Sequence, residues 1–206
     1  MKSTAVVHWL SMCGLVVTLA ACATAPSRLP VTAPADLAAL EQARQQTLAA
    51  LHDWTLTGRI AVHNENENWS ATLHWTQQAE AYTLNLIGPL GQGAVQITGD
   101  QSGVLMRLAD GQSFTADNAE TLLREHAGWN VPVTGLRYWV RGLPDPRTTA
   151  KKGLDEAGRP LFFEQSGWRI EYSRYARVNG VDLPHKLMLN NPHLQMRLVI
   201  DRWDLV

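Results

Sequence analysis

The chain has 206 residues, of which 45% are hydrophobic and 18% charged, so it can bury one sizeable core. This composition excludes a disordered, collagen-like or coiled-coil protein. The 18 Lys and Arg residues are matched by 19 Asp and Glu residues, which leaves no basic excess for binding nucleic-acid phosphates.

The first 21 residues have the pattern of a secretory signal. Lys2 is the only charged residue among the first 27, and an apolar stretch follows it from Thr4 to Ala21. The stretch is short for a bilayer core of about 30 Å and ends in small residues. It ends in the sequence LAAC, a lipobox pattern that predicts cleavage before Cys22 and acylation of its thiol. An ordinary signal peptide would leave unexplained why the only other cysteine, Cys13, lies in the segment to be removed.

Cleavage would leave Cys22 as the only thiol, which excludes internal disulfides, thiolate zinc sites and cysteine nucleophiles. Ala23 and Thr24 follow it, where an Asp at the second position would retain a lipoprotein in the inner membrane. We therefore expect a protein on the periplasmic face of the outer membrane, anchored by lipid through Cys22 without spanning the bilayer. Residues 22–34 contain three prolines among small residues and predict an extended tether.

A helical pattern opens the remaining chain and ends near Trp54. Its leucines fall on one side at helical spacing: Leu37, Leu40, Leu48 and Leu51. Arg44 lies in the middle of this apolar stripe, so its side chain either snorkels to solvent or pairs with a carboxylate.

After Trp54 the apolar period changes to 2, which predicts an antiparallel sheet. The first strands are expected at Leu56–His63, Trp69–Gln77, Tyr82–Ile87, Ala94–Gly99 and Val104–Leu108. One helix is then expected to begin at Asp117 and to end at Gly128. Asp117 and Glu120, three residues later, form an imperfect capping box at its start.

A second helical segment carries Leu136 and Trp139 after Pro132. Strand patterns then return, and Asn179–Gly180 predicts a hairpin turn. Ten or eleven short strands are too many for an open sheet with two solvent-facing sides. The sheet should therefore curl into a barrel or a strongly bent half-barrel with an interior.

Catalytic motifs are not evident in this sequence. The six histidines after the signal do not pair at metal-ligand spacing, and we predict neither a metal nor another cofactor. Glu65 and Glu67 flank a predicted turn, whereas Glu164 and Glu171 lie on separate strands. A hydrolase acting on peptidoglycan would need a pair of carboxylates positioned on either side of the scissile bond, and the sequence does not indicate such a pair. This enzyme is therefore the less favoured alternative.

Seven of the eight tryptophans follow the signal, which is rich for a domain of this size. Each could simply fill a core, but a curled sheet with large apolar residues inside could also enclose a cavity for a lipid chain. The candidate cavity residues are Leu73, Trp75, Leu84, Leu86, Ile97, Trp139, Tyr172 and Leu198.

A turn rich in glycine and proline, from Gly88 to Gly93, carries a leucine at its tip. Leu90 either folds back under the loop onto the core or is an exposed apolar tip that touches a membrane or an apolar ligand.

Several motifs in this order resemble the LolB family. They are the lipobox, WTLTGRIA from Trp54, LHW from Leu73, YTLNLIGPLG from Tyr82, PVTGLRYWVRGLP from Pro132, QSGWRIEY from Gln165 and VIDRW from Val199. The resemblance implies a monomeric half-open antiparallel β-barrel of about eleven strands over residues 35–206. Two or three helices would cover an apolar cavity for acyl chains.

The resemblance also implies a function that is not enzymatic. The protein would receive lipoproteins from the periplasmic carrier LolA and insert them into the outer membrane. Pro89, Leu90 and Gly91 would then form the loop that enters the membrane. The alternative from another class is a structural lipoprotein that binds a protein partner with its outer surface.

Overall fold

A computed structural model of the protein describes residues 34–65, 68–91 and 93–206. The expected signal peptide, Cys22 and the tether up to residue 33 lie outside these residues, as does Glu67. Among the helices within the described ranges, none is both long and apolar enough to cross a membrane.

Eleven antiparallel strands form one sheet around which three helices are placed. The strands are β1 Asp53–His63, β2 Asn68–Gln78, β3 Ala81–Ile87, β4 Val95–Asp100, β5 Gly103–Leu108, β6 Ser113–Ala116, β7 Lys151–Leu154, β8 Pro160–Gln165, β9 Trp168–Val178, β10 Val181–Asn190 and β11 Gln195–Leu205. The helices are α1 Pro34–Ala49, α2 Ala119–Ala127 and α3 Val133–Trp139.

The strand order is β6-β5-β4-β3-β2-β1-β11-β10-β9-β8-β7, so β6 and β7 are the two edges. The sheet is therefore not closed into a barrel, which confirms the expected half-open architecture. Its centre is β1, which pairs with β2 on one side and with β11 on the other.

A glycine lets β1 and β11 approach each other closely at an irregularity in their pairing. The register between these strands shifts between Thr57 and Gly58. A Cβ atom placed on Gly58 would lie 2.3 Å from the carbonyl oxygen of Val199, a distance that no side chain tolerates. Such irregularities bend a strand and increase its twist, which helps the sheet to curve.

Alternation with period 2 is visible along the long strands and gives the sheet one apolar and one exposed face. On β2, for example, Ala71, Leu73 and Trp75 are buried, whereas Thr72 and His74 between them are exposed. The buried residues of the sheet join those of α2 and α3 in a single apolar cluster. The five strands expected from Leu56 to Leu108 are confirmed within two or three residues.

The expected end of the first helix is wrong. Helix α1 ends at Ala49, and Trp54 belongs to β1, where it pairs with Gln77 and Leu205. The alanines before residue 51 favour a helix, but Trp54 gains more by packing between Trp75 and Trp203, which lie on the neighbouring strands.

The start of α2 also differs from the expectation. Asn118, not Asp117, is the N-cap, and its Oδ1 accepts a hydrogen bond of 2.9 Å from the Thr121 backbone N–H. The stop at Gly128 is confirmed, because this residue adopts the left-handed conformation with φ of 69°.

The hairpin turn at Asn179–Gly180 is confirmed as well. Both residues have positive φ, 47° and 85°, as a two-residue turn matching the twist of the strands requires.

Candidate functional site

The eight residues expected to line a cavity all belong to the apolar interior, where each of them is buried. Backbone pairing sets Leu73 opposite Leu86 and Trp75 opposite Leu84, and Leu84 is opposite Ile97 on the next strand. These five residues therefore form one continuous apolar area on β2, β3 and β4. The other three lie on different elements: Trp139 on α3, Tyr172 on β9 and Leu198 on β11.

A cluster of three tryptophans belongs to this interior, on the neighbouring strands β1, β2 and β11. The ring of Trp54 is 5.2 Å from that of Trp75 and 5.3 Å from that of Trp203, both at tilted or edge-on angles. Such ring contacts stabilise the fold beyond the contribution of the apolar area that the rings bury. The indole N–H of Trp75 donates to Gln77, and that of Trp203 donates to the carbonyl of Pro184. Trp54 was not among the expected cavity residues. It is nevertheless the central ring of the cluster, because it contacts both Trp75 on β2 and Trp203 on β11.

Helix α3 is fastened to the sheet by a buried glutamine that the sequence analysis did not single out. Gln165 is only 3% exposed. Its Oε1 accepts from the Trp139 indole N–H at 2.7 Å and from the Asp145 backbone N–H at 2.9 Å. Its Nε2 donates to the carbonyls of Asp145 and Thr148 at 2.8 and 2.7 Å. The side chain therefore has four partners and joins α3, the loop after it and β8.

Two arginines hold α1 against the segment that follows α3. Arg44 donates from α1 to the carbonyl oxygens of Gly142 at 2.8 Å, Arg141 at 3.2 Å and Asp182 at 3.3 Å. Arg141 donates in the opposite direction, to the carbonyls of Leu48 at 3.0 Å and Leu51 at 2.8 Å. Both alternatives considered for Arg44 are therefore wrong, because its guanidinium binds backbone carbonyls instead of a carboxylate or solvent.

Burial affects both guanidinium groups, and at Arg44 the nearby Tyr175, Tyr172, Asp182 and Asp155 offset it only in part. It lowers the pKa of Arg44, and together with the charge of Arg137 it lowers the pKa of Arg141 to about 10. Arg141 therefore still carries its charge at neutral pH. A positive charge close to the C-terminal carbonyls of α1 is favourable, because that end of a helix has a partial negative charge.

Helices α2 and α3 are joined by a second polar contact. Oε1 of Glu120 accepts from the Thr134 backbone N–H at 2.9 Å and from the Thr134 hydroxyl at 2.7 Å. The apolar sides of both helices contribute Leu122, Leu136 and Trp139 to the common core. The interior thus lies between the inner face of the sheet and these two helices.

Leu90 is at the tip of the turn between β3 and β4 and is 97% exposed. This excludes the interpretation that it folds back onto the core. Its backbone has φ of 58° and ψ of 21°, the left-handed region, which costs an ordinary residue roughly 1–2 kcal/mol. Ile87, at the end of β3, is also exposed. The turn therefore holds a large apolar side chain in solvent at a conformational cost.

Two of the four glutamates considered for catalysis, those on β8 and β9, have a partner on the outer surface. Arg169 binds both of the described candidates on β8 and β9, Glu164 at 2.6 Å and Glu171 at 2.8 Å. Within the described ranges, no group of three or more His, Cys, Asp and Glu side chains is placed to hold a metal ion.

Two solved structures have a fold similar to this half-open antiparallel sheet with helices over its apolar face. A LolA superfamily protein from Nitrosomonas europaea superposes with a TM-score of 0.50 at 7% identity, over 82% of this chain and 93% of that one. A DUF1329 family protein from Desulfovibrio piger gives a TM-score of 0.50 at 6% identity, over 82% and 92% of the two chains. At such low identity these likenesses concern the fold alone.

Sequence comparison is more specific. The family model described as outer membrane lipoprotein LolB matches residues 52–203. The outer-membrane lipoprotein LolB of Nitrosococcus oceani is 42% identical over 165 residues, 80% of this chain and 82% of that protein. The LolB of Stutzerimonas stutzeri is 36% identical over 190 residues, 92% of each protein. The chain belongs to the LolB family of outer-membrane lipoproteins, as the order of its motifs indicated.

Proposed function

We propose that this protein accepts the acyl chains of lipoproteins in its apolar interior, receives them from a LolA-type periplasmic carrier and inserts the lipoproteins into the outer membrane. The observation that carries the proposal is the continuous apolar face of one eleven-stranded sheet, whose buried residues join those of helices α2 and α3 in one cluster. This activity requires no catalytic residues.

The free energy of exposing an acyl chain explains why such a protein is needed. Each methylene moved from an apolar environment into water costs about 0.8 kcal/mol, so one long acyl chain costs on the order of 10 kcal/mol. The sequence contains no phosphate-binding loop of the Walker type. Transfer must therefore run downhill, from the carrier to this interior and then to the bilayer.

The packing of the interior suits a temporary host. The inner-face residues already contact one another and are buried, so an entering acyl chain exchanges side-chain contacts for lipid contacts. The gain in buried apolar area is then smaller than for an empty, water-filled cavity. Moderate affinity of this kind lets the acyl chain leave for the bilayer.

The acyl-binding prediction is tested with the Cys22→Ala chain, which has no lipid anchor of its own. We expect saturable binding of a fluorescent fatty acid at micromolar concentrations, and weaker binding by Leu86→Asn, which places an amide on the inner face. The matched control is Asn85→Gln, because Asn85 is the neighbouring residue on the same strand and is not buried. Absence of saturable binding by the folded parent chain would contradict the proposal and favour a structural lipoprotein.

We further propose the expected division of the chain: a signal peptide at 1–21, a tether at 22–34 with lipid on Cys22, and the acyl-binding domain at 35–206. Membership of a family of outer-membrane lipoproteins supports the proposal of a lipid anchor. Cys22 is the only cysteine after the predicted cleavage point. The domain would then lie at the periplasmic face and act as a monomer.

The anchor is tested by cell fractionation. With Cys22→Ala and an ordinary cleavable signal, we expect a folded protein in the soluble periplasmic fraction, whereas the parent chain stays with the outer membrane. If the variant still fractionates entirely with membranes, the assignment of the anchor to Cys22 is wrong.

A further inference from the structure

The outer face of the sheet carries a line of residues that begins beside the Leu90 turn. Backbone pairing sets Ile87 on β3 opposite Thr72 on β2, and Thr72 opposite Arg59 on β1. All three are exposed. The turn with Leu90 and the first cation of the line therefore lie on one surface, separated by a single strand.

The same line continues across β11, β10 and β9. Arg59 is opposite Val199, Val199 is opposite Lys186, and Lys186 is opposite Arg174. Arg197 lies two residues before Val199 on β11 and therefore on the same face. Because neighbouring strands are about 4.8 Å apart, the line from β3 to β9 spans roughly 24 Å. We call Arg59, Lys186, Arg174 and Arg197 the basic row.

Most of this charge has no counter-ion within the protein. Arg59 pairs with Asp201 at 3.0 Å. In the part of the chain that the structure describes, Lys186, Arg174 and Arg197 have no carboxylate within ion-pair distance. The basic row and Leu90 line one groove of about 690 Å³, and its described lining residues include no Asp or Glu.

We propose that the basic row binds the headgroup phosphates of anionic phospholipids when the Leu90 turn touches the bilayer. This rests on the proposed insertion of lipoproteins into the outer membrane, for which the family resemblance implies that the Leu90 turn enters the bilayer. Cations near an anionic membrane are attracted within a Debye length of about 8 Å, so only residues close to the surface contribute.

The distribution of side chains favours a bilayer over an acidic protein as the partner. The apolar residues Ile87 and Leu90 are together at one end of the line, and the cations without counter-ions, Lys186 and Arg174, are at the other. When this face of the sheet lies along the bilayer surface, the apolar turn can enter the hydrocarbon while the cations stay at the phosphates. A protein partner of the usual kind would instead meet a central apolar patch with a polar rim.

The test is vesicle binding by the Cys22→Ala chain, so that no lipid anchor contributes. Lys186→Gln with Arg197→Gln should weaken binding to phosphatidylethanolamine vesicles containing phosphatidylglycerol by about fivefold for each cation removed. Binding to vesicles of phosphatidylethanolamine alone should not change. The control, Arg124→Gln with Arg202→Gln, removes the same charge at exposed arginines close to a carboxylate, Glu125 at 4.0 Å and Asp204 at 2.9 Å.

Three results would overturn the proposal. The first is equal binding of anionic vesicles by the basic-row and control variants. The second is displacement of the parent chain by inorganic phosphate at a matched phosphate concentration, which would assign the row to free phosphate. The third is loss of binding to the carrier protein with vesicle binding intact, which would assign the row to a protein partner. Fatty-acid binding by the same variants separates this inference from the proposed function, because that binding should stay at the parent level.

Discussion

Replacing Leu90 by Glu should reduce the delivery of lipoproteins into vesicles by about tenfold or more, with little effect on folding. A carboxylate at the tip opposes entry into hydrocarbon, where a charged side chain costs about 2.5–3.5 kcal/mol, and about 1.4 kcal/mol already corresponds to tenfold. The free energy of unfolding should change by less than about 0.5 kcal/mol, because Leu90 has almost no contacts to lose.

Delivery and stability have to be measured on the same preparation. The assay follows release of an acylated lipoprotein from the protein into vesicles, and a urea titration gives the free energy of unfolding. Leu161→Glu is the matched control, since Leu161 on β8 is also exposed but lies far along the sheet from the turn. Normal delivery by Leu90→Glu, or equal loss in both variants, would contradict the role of the turn.

A second substitution at the same position tests the cost of the left-handed backbone conformation. Leu90→Gly removes the apolar tip and relieves the left-handed conformation, which glycine adopts without the cost that leucine bears. We expect its stability to stay level or rise by up to about 1 kcal/mol while delivery falls. This pattern would separate a membrane role from a structural one, because a structural role predicts that stability and delivery fall together.

Gln165→Leu should lower the free energy of unfolding by about 3 kcal/mol. The substitution keeps most of the volume but removes the Gln165 partner of the Trp139 indole N–H, the Asp145 backbone N–H and the Thr148 carbonyl, while the Asp145 carbonyl keeps only the Thr148 backbone N–H at 3.4 Å. Each buried polar group that loses its hydrogen bond costs about 1–3 kcal/mol, partly offset by the more favourable burial of leucine.

A urea titration monitored by tryptophan fluorescence measures this effect, because Trp139 itself loses a hydrogen bond. Gln78→Leu serves as the control, since Gln78 is exposed at the end of β2 and its replacement should change stability by no more than about 0.5 kcal/mol. Similar midpoints for the two variants would show that the Gln165 network contributes nothing specific.

The long strands were predictable because alternation with period 2 directly reports which side chains face a core. The edge strands β6 and β7 were not expected, since four residues such as Lys151–Leu154 are too few to show a period. The exposed lysines of β7, Lys151 and Lys152, suit an edge, where charge discourages pairing with another chain.

Parts of the candidate site depend on contacts between residues far apart in the sequence. The inner-face leucines could be named from the alternation alone. The carbonyls bound by Arg44 lie 97 to 138 residues away along the chain, and no local pattern indicates them. Nor did the sequence decide whether Leu90 is buried, because a leucine between Pro89 and Gly91 in a tight turn fits either outcome. The only local sign of Gln165 is its place in the QSGW motif.

The pairing of β1 with β11 joins the first strand of the domain to the last, Trp54 to Leu205. Contacts so distant in sequence form slowly, because a long loop of chain must close first. A chain exported from its N-terminus can form the β1–β2 hairpin early, but the other edge of β1 must wait for the final residues to emerge. During that interval the centre of the sheet is an open edge that could pair with another chain. Loss of β11 should therefore cause aggregation, because it would leave central strands of the sheet unpaired, whereas loss of an edge strand would only shorten the sheet.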